Sequence, residues 1–211
     1  MFRACHSRLI ITLFKNTIYM RIILLTGSSN CGKSYAIYEL AQWMLDNDWK
    51  DDSDGLDEIC KRTSMSFDDV REEQDSSGDI CQLFVKSGLR CLLWAPMDDQ
   101  YCVESLKRMI EQIRNTGRKV DYLVTTLRRF DDAQHQLTLR EMGWSESGVD
   151  LLDSDGQEII QIPVLRVKHE LNDPEKIIRW YNTMVAKQLQ ILFAYLVSST
   201  HDGSDDENVT R

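Results

Sequence analysis

An unbroken apolar run, Ile22, Ile23, Leu24 and Leu25, leads through Thr26 into a glycine-flanked turn that reads G-x-x-x-x-G-K-S over 27–34. Four β-favouring side chains in a row leave no polar face, so the run predicts a strand covered on both sides. Beyond the turn, Ala36, Ile37, Leu40, Ala41 and Met44 recur at helical spacing. A buried strand, a glycine-rich turn and an amphipathic helix in direct succession predict an α/β chain organised around that turn.

The chemistry of the turn follows from its backbone. Successive N–H groups in such a loop converge on a concave nest that suits a polyphosphate. The helix behind it points its positive end at the same place. Gly27 and Gly32 are expected to take backbone angles that a side chain forbids. The expected phosphate contacts are Gly27, Ser28, Ser29, Asn30, Cys31, Gly32, Lys33 and Ser34. Lys33 would reach the β- and γ-phosphates, and the Ser34 hydroxyl would ligate Mg²⁺. The competing reading is a plain glycine turn with a solvated lysine.

With 211 residues, the chain is long enough for one domain with an insertion. Its net charge of −9 argues against diffuse electrostatic binding of nucleic acid. The six cysteines form no C-x-x-C pair, so they read as reduced thiols of a cytoplasmic protein, with Cys31 inside the loop. No apolar run reaches the length of a membrane span. Residues 1–19 hold Arg3, Arg8 and Lys15 and no acid. They read as an N-terminal extension outside the fold, with Met20 as a natural start just before the strand. The domain is expected over 20–200.

Between 46 and 79 acids accumulate and apolar residues thin out, which predicts a mobile, solvated insertion with a short helix near 56–62. The runs 80–85 and 89–95, separated by Lys86, Ser87 and Gly88, predict an antiparallel hairpin. Its second strand leads to Asp98 and Asp99. Asp98 is the candidate acid for holding Mg²⁺ or orienting water; either acid would equally serve as a helix N-cap. Val103, Leu106, Ile110 and Ile113 mark the next helix, stopped at Gly117, and 120–126 the next strand. That order predicts a right-handed parallel crossover, which brings Thr125, Thr126, Arg128 and Arg129 to the ligand end of the sheet. Arg128 is the candidate for stabilising charge on a transferring phosphoryl group; the alternative is a solvated pair with Asp131 and Asp132.

The remaining third reads as a short helix and a lid-like loop over 131–148, then a strand over 159–167 whose Pro163 suggests an edge or a bulge. His169 has no partner at ligand spacing. Asp173 and Pro174 open a final helix. Ile177, Tyr181, Met184, Val185, Leu189, Leu192 and Leu196 form its stripe, while 191–197 is apolar all round. Such a segment is either deeply buried or a surface for a partner. Residues 201–211 read as a disordered acidic tail.

In this order of elements the chain resembles a group of small bacterial and phage P-loop NTPases. The matching residues are the loop over 27–34, Trp94 to Asp99 with Pro96, Met97 and Asp98 in place of the group's Gly-Asp turn, and the strand from Val120 to Arg128. The resemblance implies a three-layer α/β/α P-loop NTPase fold, a mainly parallel sheet with one antiparallel hairpin, and binding of ATP with Mg²⁺. The expected activity is ATP hydrolysis or kinase-like transfer of the γ-phosphoryl, with Lys33, Asp98 and Arg128 as catalytic residues and Ser34 and Asp98 at the metal. The alternative is a nucleotide-responsive adaptor that binds a partner protein, or a second copy of itself, through the C-terminal helix.

Overall fold

In the computed structural model the strand that precedes the turn, β1 (Arg21–Thr26), lies in the interior of an eight-stranded sheet. The structure describes residues 20–56, 80–97, 99–128, 133–142, 144–147, 150–153, 158–166 and 174–201. The turn leads into α1 (Lys33–Asp46), and β2 (Lys50–Asp51) follows. The expected hairpin is β3 (Cys81–Lys86) with β4 (Leu89–Trp94). Then come α2 (Gln100–Asn115), β5 (Tyr122–Leu127) and α3 (Ala133–Met142). A second hairpin, β6 (Trp144–Ser147) with β7 (Asp150–Asp153), leads to β8 (Glu158–Pro163) and α4 (Pro174–His201).

The sheet order is β2-β3-β4-β5-β1-β8-β7-β6. Its centre, β4, β5, β1 and β8, is parallel, and both flanks are antiparallel. The expectation of a single hairpin is therefore corrected. The β6–β7 hairpin occupies part of the stretch read as a lid loop, where short polar strands carry too little alternation to be seen. The acidic insertion also starts as part of the sheet. β2 pairs with β3, the Ser53 hydroxyl takes the Leu83 N–H at 3.2 Å, and Asp52 accepts from Arg90 Nε at 2.7 Å. The helix expected near 56–62 falls on residues 57–62, outside those described.

Side chains alternate between two apolar layers, as the two-residue period of a strand requires. Ile23, Leu25, Leu93 and Val124 face α1 and α4, whereas Ile22, Leu24, Leu92 and Leu123 face α2. β1 and the second half of β4 are thus covered on both faces, which accounts for the apolar runs Ile22 to Leu25 and Cys91 to Trp94. β8 ends at Pro163, shorter than the expected 159–167. Only Ile159 and Glu158 of β8 pair with β7, so Pro163, opposite Thr26, lies where β8 has a neighbour on one side alone. The proline is accommodated as an edge residue inside an otherwise interior strand.

The ambiguity at the end of the final helix resolves into two faces. Leu189 and Phe193 are wholly buried, while Ile191 and Tyr195 are 70% and 67% exposed. Phe193 meets Tyr122 edge-on at 5.4 Å, Trp49 at 5.5 Å and Trp43 at 6.3 Å between ring centroids. The Tyr122 hydroxyl donates to the Leu196 carbonyl at 3.1 Å, which fixes α4 against β5. Phe193 is a core residue and cannot serve a docked partner. Among the described residues, no helix is long and apolar enough to cross a membrane. Burial predicts that Phe193→Ala lowers unfolding free energy by about 3–5 kcal/mol, whereas Ile191→Ala stays within about 0.5 kcal/mol of wild type, both read by urea denaturation.

Candidate functional site

The end of β1 is gripped by both neighbours. Gly27 N–H donates to the Leu127 carbonyl of β5 at 3.1 Å, and Val164 N–H, just past β8, donates to the Thr26 carbonyl at 2.7 Å. These bonds carry the sheet ladder up to the base of the turn and fix where the loop departs. A β-carbon on Gly27 would lie 2.3 Å from the Val164 carbonyl oxygen and 2.8 Å from Cys31 Sγ. Glycine is required there by the closeness of another backbone. The expected special backbone angle belongs to Gly32, at φ +96°, and to Asn30, at φ +57°. Asparagine tolerates that left-handed region better than most residues.

Gly32 is also the N-cap of α1 and offers no side chain to cap it. The first ladder bond of the helix runs from Ala36 N–H to the Gly32 carbonyl at 3.1 Å. The N–H groups of Lys33, Ser34 and Tyr35 therefore have no partner within the helix. The contrast with α2 is direct. There Asp99, in extended conformation, accepts the Cys102 N–H at 2.9 Å. That backbone bond holds the Asp99 carboxyl below its ordinary range. Asp99 is thus the helix cap, the alternative role considered for this acid pair. Asp98 lies outside the described residues.

Lys33 folds over the loop it closes. Its ammonium donates to the Ser28 carbonyl at 2.8 Å and the Gly27 carbonyl at 3.2 Å, and sits 3.8 Å from Cys31 Sγ. One positive charge is thereby held within the ring of the turn, beside the uncapped helix start. Tyr35, one residue beyond Ser34, hydrogen-bonds Thr183 and Glu39. Burial, then the Glu39 carboxylate, raises its hydroxyl pKa.

β5, and not β4, is the strand beside β1 on this side. The acid-bearing segment after β4 therefore lies two strands away from the one that feeds the loop. Thr126 bridges the gap: it pairs in register with Leu25, and its hydroxyl donates to the Ala95 carbonyl at 2.9 Å. Ala95 N–H in turn donates to Ile80 at 2.9 Å. Thr125 alternates to the α2 side and is fully buried, so it does not share the loop's face. Arg128 directly follows Leu127, whose carbonyl anchors Gly27. It stands at the end of the sheet expected for it, while Arg129, Asp131, Asp132 and His169 lie outside the described residues.

Sequence reasoning passed over Val164 and the α4 residues Asn182 and Thr183. Val164 shapes the loop through its backbone, which no motif records. Asn182 packs its carboxamide on Gly32, 2.3 Å from where a β-carbon would stand. Two polar residues between apolar positions of a helix give no signal of their own. Comparison with known proteins yields no match to a family model, a curated protein or a solved structure.

Gly27→Ala should lower stability by at least about 2 kcal/mol through collision with the Val164 backbone, and Gly32→Ala by about 1–2 kcal/mol through left-handed strain and displacement of the Asn182 carboxamide. Gly88→Ala has φ +84° but open space around it and should cost only about 1 kcal/mol. Thermal or urea unfolding of the three variants checks the order.

Proposed function

We propose that this chain is a P-loop NTPase that binds ATP with Mg²⁺ at residues 27–34 and hydrolyses it or transfers its γ-phosphoryl. The observation that carries the reading is the uncapped start of α1 behind a turn with Asn30 and Gly32 in the left-handed region. Consecutive amides left without helical partners, at the positive end of a helix, are complementary to phosphate oxygens. The Lys33 ammonium over the same turn adds the charge that a β/γ-phosphate pair needs.

Each side chain has a distinct task in this reading. Lys33 exchanges its carbonyl contacts for phosphate oxygens and offsets charge building on them. The Ser34 hydroxyl, in the first turn of α1, would help hold Mg²⁺, whose charge would supply Lewis-acid stabilisation at the phosphates. Arg128 extends from the end of β5, adjoining the base of the loop, and supports charge on the transferring group. Asp98 is retained as the candidate second acid. Thr126 fixes the spacing between β5 and the segment that leads to it.

A second reading, the nucleotide-responsive adaptor, is favoured by one observation. Trp180, Met184, Ile191 and Tyr195 are exposed large side chains of α4, and their spacing places them along one side of the helix. It shares the nucleotide site with the first reading and differs in turnover.

Lys33→Ala should weaken Mg²⁺-ATP binding by calorimetry at least tenfold and reduce phosphate release by a hundredfold or more, by analogy with loss of other preorganised charge donors. Equal affinity and equal turnover in wild type and variant would end the reading. Micromolar ATP binding by wild type with no phosphate release, with or without added acceptors, would favour the adaptor.

A further inference from the structure

The final helix meets the loop directly at Gly32 and is linked to its other end through Leu165 and Val164. Asn182 lies against Gly32: a β-carbon there would be 2.3 Å from Oδ1, 2.7 Å from Cγ and 3.0 Å from Nδ2. All three heavy atoms of the amide group therefore crowd one Cα. On one side of Asn182, the Tyr181 hydroxyl accepts the Leu165 N–H at 2.8 Å. Leu165 follows Val164, whose carbonyl presses on Gly27. On the other side, Thr183 hydrogen-bonds Tyr35 in the first turn of α1. Three consecutive residues of α4 thus touch the segment packed on the loop's entry, the loop's exit and the helix behind it. Farther along, Gln190 Nε2 donates to the Glu39 carbonyl at 3.0 Å and ties the two helices together.

We propose that Asn182 is a positioning residue for the nucleotide: its carboxamide holds Gly32 in the left-handed conformation that aims the Lys33 and Ser34 amides at the phosphates. The inference rests on the ATP-binding reading and adds to it a residue some 150 positions away in sequence. A glycine at φ +96° is free to relax when unsupported. The planar amide packed on its Cα removes that freedom, so the loop does not have to be ordered at the moment of binding. The contact that the carboxamide makes with Gly32 is one of packing. The position is charge-sensitive as well. A carboxylate in the same place would stand next to the residue that precedes the Lys33 and Ser34 amides, and would repel a phosphate bound to them.

The test compares wild type, Asn182→Ala and Asn182→Asp in calorimetric titrations with Mg²⁺-ATP, Mg²⁺-ADP and AMP, at low and high salt, together with melting curves in the absence of nucleotide. Asn182→Ala should weaken ATP about tenfold while moving the nucleotide-free melting temperature by no more than about 2 °C. Asn182→Asp keeps the shape of the amide. It should weaken ATP more than ADP, and ADP more than AMP, with the gap closing as salt rises. A merely structural role would lower all three affinities in proportion to lost stability and show no such ladder. Wild-type affinity in both variants overturns the inference and leaves the ATP reading standing. Absence of ATP binding by well-folded wild type overturns both.

Discussion

The constraint on which the loop end of this protein depends is the closeness of backbone to backbone at the tip of β1. The Val164 carbonyl approaches Gly27 so nearly that a methyl group would not fit. Leu127 takes the Gly27 N–H from the other side. With its exit point fixed by two parallel neighbours, the chain must turn at once. Asn30 and Gly32 supply the left-handed residues that let it do so before entering α1. An uncapped helix start facing the turn is the consequence, and the proposed phosphate site is built on it.

The same geometry explains why a helix at the far end of the sequence belongs to the site. α4 packs on the α1 side of the sheet, anchored by Phe193 among Trp43, Trp49 and Tyr122 and by the bond from Tyr122 to Leu196. That core contact sets the register of the helix. The register then decides which residues reach the loop, some three turns earlier in α4, at Tyr181, Asn182 and Thr183. Packing and site geometry are one problem here, because a shift of α4 would move the Gly32 support together with the buried aromatic cluster.

Much of the central layer was legible in the sequence. Ile22 to Leu25 and the run before Trp94 announced covered strands, and Ala36, Ile37, Leu40, Ala41 and Met44 are all buried as their spacing implied. The hairpin β3–β4, the crossover through α2 and the stop at Gly117 follow from local signals of the same kind. What was not legible depends on contacts between distant segments. Nothing local says that Gly27 is needed for Val164 while Gly32 is needed for its own φ. The insertion of β5 between β1 and β4 is a matter of strand order, which periodicity does not encode. The sequence left 191–197 open between burial and a partner surface because it is apolar on every side, and only the packed helix separates buried Phe193 from exposed Ile191 and Tyr195. The Asp98–Asp99 ambiguity resolved for Asp99 alone, since capping is a local bond that the structure records directly.

The central claim is that the amides at the start of α1 receive phosphate oxygens. It is tested most directly by titrating Mg²⁺-ATP into the ¹⁵N-labelled protein and following backbone amide resonances. The account predicts large downfield shifts confined to the loop and first helical turn, Gly32, Lys33 and Ser34 foremost, that AMP fails to reproduce. Resonances of 27–34 that stay unmoved at saturating nucleotide, or shifts that map elsewhere on the sheet, would contradict it.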